Sequence, residues 1–229
     1  MHASLHVSSG QNPSRTILKI CGECNGKLSE AFEQPASALF KRIIEAESMT
    51  LSISDQIVLA RWTVKTDMLL LLRRAVLARD AEPAVPAATV ASIRADVVKM
   101  TSQSGWLPDH CVVRIGRVIP NSFPIRLRNI RPFDITESGH VHSFNTLANV
   151  VTESVIFAPH SAAEYAARAR IDARMLVLCP NDGSAQNWPP VDSLNTEVHA
   201  ELLADAVAGP GAGWGMQVDR QSGVPRPTR

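Results

Sequence analysis

Apolar residues recur along this chain in two rhythms, helical in the first half and alternating further on. From Lys27 toward Ala46, Leu28, Phe32, Leu39, Phe40 and Ile43 fall at roughly helical spacing, with Pro35 near a break. The stretch TLSISDQIVLARWTVKTDMLLLLRRAVLAR (50–79) predicts the strongest helix. Ser54 is its expected N-cap, and Asp55 sits in the first turn, where the helix dipole favours an acid. Val58, Trp62, Leu69, Leu72 and Val76 form one stripe, widened by Ile57, Val64, Leu71 and Ala75. A helix apolar over that much of its circumference belongs at the centre of a core. DAEPAVPAA (80–88) reads as a proline-punctuated linker, and a shorter helix follows over 89–101.

After SGWLPDH the pattern changes. CVVRIGRVI (111–119), IRLRNIR (125–131), HVHSFNTLANVVTESVIFA (140–158) and ARMLVLC (173–179) are β-rich runs bounded by turn residues. They predict an antiparallel sheet of about four strands. TILKI (16–20) reads as a short strand, 161–171 as a helix or an irregular excursion, and a last helix is expected from Asn195. NWPP (187–190) reads as a rigid turn that caps the core with a tryptophan. Helices first and strands later indicate an α+β architecture. The expected organisation is a flexible lead-in (1–15), a cysteine loop with its helix (16–48), a helical plus antiparallel β domain (49–208) and a disordered tail (209–229).

Composition narrows this picture only modestly. At 229 residues, 45% hydrophobic and 20% charged with a net charge of +1, the chain can bury one good core. No global charge bias points to nucleic acid or membrane, so any such interaction must come from a local patch. The longest apolar run, MLLLL (68–72), is too short to span a bilayer. Four cysteines without a secretion signal at the start read as cytosolic thiols, so a cytoplasmic protein is expected, with no membrane partner. Phosphate-binding glycine loops, G-x-S-x-G, H-E-x-x-H and dinucleotide fingerprints do not occur, and no small-molecule cofactor is indicated.

Cys21 and Cys24 form the one close thiol pair, in C-G-E-C-N. A C-x-x-C turn supplies two of the four ligands of a tetrahedral zinc ion. The same spacing also serves redox chemistry, which ranks below zinc here because no βαβ context surrounds it. Cys111 and Cys179 lie among apolar β residues and read as small buried hydrophobes.

The loop and its continuation, C-G-E-C-N then K-L-S-E-A-F-E-Q-P-A and L-A-R-W-T-V-K-T, resemble the second half of a group of bacterial and phage HNH-endonuclease-like proteins. The features concerned are Cys21, Cys24, Asn25, Phe32, Glu33, Pro35, Trp62, Lys65 and Thr66, with Trp188 to Pro190 near the end. The resemblance spans about residues 15–205 and is most specific at its start. It implies a partial zinc knuckle, a remnant of the ββα-metal unit, in which Cys21 and Cys24 hold structural zinc. It also implies that Asn25 is a catalytic-site ligand to Mg²⁺ or Mn²⁺. In the group, a further C-x-x-C and a D/E-H-x-x-P segment bearing the catalytic histidine precede this knuckle. Here only His2 and His6 precede Cys21, neither in that context. The expectation is therefore an HNH-like, DNA-acting hydrolase, truncated or degenerate and inactive as written. The alternative is a non-catalytic nucleic-acid-binding or interaction protein of phage or mobile-element origin.

Arg114, Arg117, Arg126, Arg128 and Arg131 lie in a stretch (110–131) without an acid. Alternation in IRLRNIR places Arg126 and Arg128 on one face; the arginines of the stretch read either as contacts to phosphates of DNA or as a solvated outer face paired with carboxylates elsewhere. Lys65, one turn after Trp62, could lay its stem along the indole and reach out, or meet a phosphate or a carboxylate such as Glu33. His140 and His142 share one side of a strand and read as exposed strand histidines.

Overall fold

The computed structural model describes residues 21–45, 47–77, 87–119, 134–135, 141–147, 149–156, 174–195, 216–218 and 225–227. The expected strand at 16–20, the IRLRNIR segment, the 161–171 excursion and the last helix beyond Asn195 lie outside them.

The first helical region runs further than its apolar spacing predicts. It begins at Gly22 as α1 (Gly22–Leu28), widens into a π-helical turn (Ser29–Glu33) and continues as α2 (Gln34–Ile44). Pro35 does not end it. The wide turn closes immediately before Pro35, which thus sits in the opening turn of α2, where a missing N–H costs least. The buried face is Leu28, Phe32, Ala36, Phe40 and Ile43. Steps of four residues drift by about 40° each on a regular α-helix. The extra residue accommodated by the π turn cancels much of that drift and keeps Leu28, Phe32, Ala36 and Phe40 on one side.

β1 (Met49–Leu51) leads directly into α3 (Ile53–Leu77). The cap of α3 is Ser52, two residues before the expected Ser54. The Ser52 amide donates to Asp55 Oδ2 at 2.9 Å, and the Asp55 amide donates to Ser52 Oγ at 3.2 Å, a reciprocal capping box. As its composition predicts, α3 is the central element. It packs on α2, the π turn and α4 (Ala87–Ser102) on one side and on strands of the main sheet on the other. Its deepest positions include Leu59, Ala60, Val64, Met68 and Leu71, and also the polar Gln56, Thr63 and Asp67.

The main sheet contains β2 (Cys111–Ile119), β3 (Asp134–Ile135), β4 (Val141–Leu147), β5 (Val150–Ile156) and β6 (Met175–Cys179) in the antiparallel order β3-β4-β5-β2-β6. The run at 140–158 is thus a hairpin of two strands rather than one. β7 (Gln186–Trp188) pairs with β1, and β8 (Leu194–Asn195) runs parallel to the end of β2. The sheet of about four expected strands is therefore a six-stranded one, because two-residue strands leave no readable alternation. In the expected disordered tail, β9 (Met216–Val218) and β10 (Pro225–Pro227) pair antiparallel. The α+β class holds.

β2 is buried from Cys111 through Gly116, as befits a strand flanked on both edges. At Gly116 an added Cβ would lie 3.0 Å from the Arg174 carbonyl and 3.1 Å from Leu194 Cδ1, so glycine lets β6 and β8 approach β2. Trp188 is fully buried in the same core that holds Phe32, Phe40, Leu51 and Met68. Among the described residues no helix is long and apolar enough to cross a membrane.

Candidate functional site

Apart from Pro35 in α2 and Trp188 to Pro190 at the end of β7, the residues that carry the HNH-like resemblance separate into two places. Phe32, Glu33, Trp62, Lys65 and Thr66 meet where the π turn packs on α3. Glu33 carries the centre of this cluster: Oε2 accepts from Trp62 Nε1–H at 2.7 Å, and Oε1 accepts from the Lys65 ammonium. Lys65 is almost wholly buried while Glu33 is about half exposed, so the pair lies at the rim of the core. The Lys65 ammonium stands 5.3 Å from the Trp62 ring, and Phe40 meets that ring edge-on at 4.5 Å. Arg61 lies 5.0 Å over the buried Phe32 ring and donates to the carbonyls of Met100 and Gln103, where α4 ends. Thr66 returns its hydroxyl to the Trp62 carbonyl at 2.8 Å. These side chains hold helices together; of the two readings open for Lys65, the carboxylate partner is the one observed.

The second place is the start of α1. Cys21 is exposed and Cys24 half-buried, both as free thiols. The Cys24 amide donates to Cys21 Sγ at 3.1 Å and the Asn25 amide to the Cys21 carbonyl at 2.8 Å, so the sulfur caps the turn. Hydrogen bonds from the Cys24 thiol and amide hold the Cys21 thiol below its ordinary range, and the same contact raises Cys24. Asn25 is exposed, and Lys27 pairs with Glu23 at 2.7 Å across one turn.

The expected metal chemistry is corrected here. Among the described residues no group of three or more His, Cys, Asp or Glu side chains could hold a metal ion. Cys21 and Cys24 find no third and fourth ligand among the described residues, so these residues build no tetrahedral site for structural zinc. Asn25 has, among the described residues, no neighbouring carboxylate or imidazole set with which to hold Mg²⁺ or Mn²⁺. The zinc-binding, metal-binding and nuclease expectations fall with that ligand set. His2 and His6 lie outside the described residues.

The expected phosphate-contacting cations also divide. Arg114 is buried in β2, where its Nε–H donates to the buried Glu153 of β5. Lys65 is engaged by Glu33. Arg117 is half-buried, with its Nε shielded from solvent. Arg126, Arg128 and Arg131 lie outside the described residues.

Two polar connections were not anticipated. Ser154 of β5 donates to the buried Asp67 carboxylate, tying the sheet to α3. Gln56 Nε2 donates to the carbonyls of Leu51 and Ser184, and its Oε1 accepts from Asn181 and Gln186, which fastens the start of α3 to the loop between β6 and β7. The readable signal for both was a polar residue interrupting an otherwise apolar helix face. In the turn just before β2, His110 stands 3.5 Å from both Asp96 of α4 and Asp109. Its hydrogen bond to Asp96 raises its pKa against the opposing effect of burial.

Fold and site together define an α+β protein with a helical clamp and, at the start of α1, an exposed thiol beside a half-buried one. Compared with protein-family models, curated proteins and solved structures, the chain matches none.

Proposed function

We propose that the chain is a non-catalytic, HNH-like binding protein of phage or mobile-element type, with duplex DNA as its partner, and that it does not cleave phosphodiesters. The observation that supports this reading is the clamp. Residues some thirty positions apart in the sequence motif, Glu33 with Trp62 and Lys65, meet through direct hydrogen bonds. The motif therefore serves as a frame, and its charged groups face each other instead of a substrate. Phosphodiester cleavage needs a positioned base and a held cation, whereas the described residues assemble no such ligand set. The DNA partner is carried by the acid-free arginine stretch, in which Arg114 is committed to Glu153 and Arg117, Arg126, Arg128 and Arg131 remain as candidate phosphate contacts.

Fluorescence anisotropy with a labelled duplex across a salt series tests the reading. Binding should weaken linearly in log–log form as salt rises, and should weaken further in the Arg126→Ala/Arg128→Ala double variant. Supercoiled plasmid should stay intact with Mg²⁺ or Mn²⁺. No binding at low salt would remove DNA as the partner, and nicking that survives repurification would overturn the non-catalytic assignment.

A further inference from the structure

We propose that Cys21 and Cys24 are a surface dithiol–disulfide couple that exchanges with disulfide-bearing substrates. The inference is independent of the DNA reading. Its basis is the local geometry of the pair. The two thiols stand three residues apart on one turn, and the Cys24 amide at 3.1 Å fixes Cys21 Sγ above that turn. The exposed Cys21 is open to an incoming disulfide, while the half-buried Cys24 lies beside it as the resolving thiol. Among the described residues no further ligands make a zinc site of the pair, and this arrangement of exposed attacker and adjacent resolver matches what thiol–disulfide exchange requires.

The other two cysteines supply an internal contrast. Cys111 is buried, and its thiol donates to the Pro108 carbonyl at 3.0 Å. Cys179 is also buried, its thiol 3.8 Å from the Cys111 carbonyl. Neither offers its sulfur to a molecule outside the core.

The exchange balances in two steps. The Cys21 thiolate attacks one sulfur of RS–SR′; the S–S bond breaks, R′S⁻ departs and is protonated, and Cys21 is left in a mixed disulfide with R. Cys24 then gives its proton to solvent, its thiolate attacks Cys21 Sγ, and RS⁻ departs. The protein loses two electrons and two protons, and the substrate disulfide becomes two thiols.

Reduced full-length protein is equilibrated in glutathione buffers of rising oxidised fraction, quenched in acid, alkylated and mapped by peptide mass spectrometry. A Cys21–Cys24 disulfide should form, with Cys111 and Cys179 recovered as alkylated thiols. In Cys24→Ser the mixed glutathione disulfide should accumulate on Cys21. Cys21→Ser should react with oxidised glutathione about tenfold more slowly than Cys24→Ser. Circular dichroism of both variants verifies that they are folded. Two free thiols at every buffer ratio, equal rates for the two variants, or a disulfide to Cys111 or Cys179 would each overturn the proposal.

Discussion

The two ends of the helical region Gly22–Ile44 carry parts of one sequence motif yet occupy opposite physical settings. At the far end, Phe32, Phe40 and Ile43 are buried, Glu33 is bonded to Trp62 and Lys65, and α3 covers the surface. At the near end, Cys21, Gly22, Glu23, Asn25 and Gly26 are exposed, and the polar contacts there are local to one turn. Neighbouring motif residues thus do different work: one group closes the core, and the other leaves reactive sulfur at the surface. Sequence proximity alone would have assigned both to one catalytic unit.

The sharpest way to break this contrast is at Phe32. Its replacement by alanine empties a fully buried ring site beneath Arg61 and should cost about 3–5 kcal/mol, read as a lower urea midpoint. A loss below about 1 kcal/mol would mean that the clamp end is loosely packed. Glu33→Ala removes the acceptor of both Trp62 and Lys65. Because Glu33 is half exposed and its pair partly screened, the expected loss is about 1–2 kcal/mol. A neutral outcome would make the meeting of the two motif helices incidental.

A smaller effect concerns His110, which bonds Asp96 of α4 on the helix that abuts the clamp. Its pKa in the folded protein is raised, so the native state binds more protons than the unfolded one between the ordinary histidine value of about 6.5 and the raised one. The stabilisation is complete below that window and disappears as pH rises through it. Stability curves of wild type and His110→Asn should therefore converge toward alkaline pH, and parallel curves from pH 5 to 9 would contradict the assignment. The smallest change is expected at the near end, where Cys21→Ser should alter stability by less than about 0.5 kcal/mol, checked by thermal melting under reducing conditions. A large loss there would erase the distinction between the two ends.

Much of the frame could be read from pattern. The wide apolar stripe of 50–79 marked α3 as central, and the β-rich runs located β2, β5 and β6. What escaped depended on details that periodicity averages away. Ser52 caps α3 because Asp55 lies three residues on and can reciprocate, whereas Ser54 lies inside the helix, next to Asp55. The π turn was hidden because Leu28, Phe32, Ala36 and Phe40 share a face only when the backbone holds an extra residue. β3 and β8, at two residues each, exist through pairing with distant strands rather than through their own composition. At the site, the thiol pair was legible, but its lack of further ligands among the described residues was a property of three-dimensional neighbours. For Arg114 a carboxylate partner was one of the open readings, but the burial of the pair was not legible because Glu153 lies on a different strand.

The widened turn at Ser29–Glu33 also governs aim. One extra residue in a helical rod rotates everything beyond it by about 100°. Deleting a residue there would swing the cysteines around the axis while the anchored half stayed in place, so the compass bearing of the sulfur atoms is encoded in backbone count. A deletion at this point would leave every reactive group intact and yet point it toward a different neighbour.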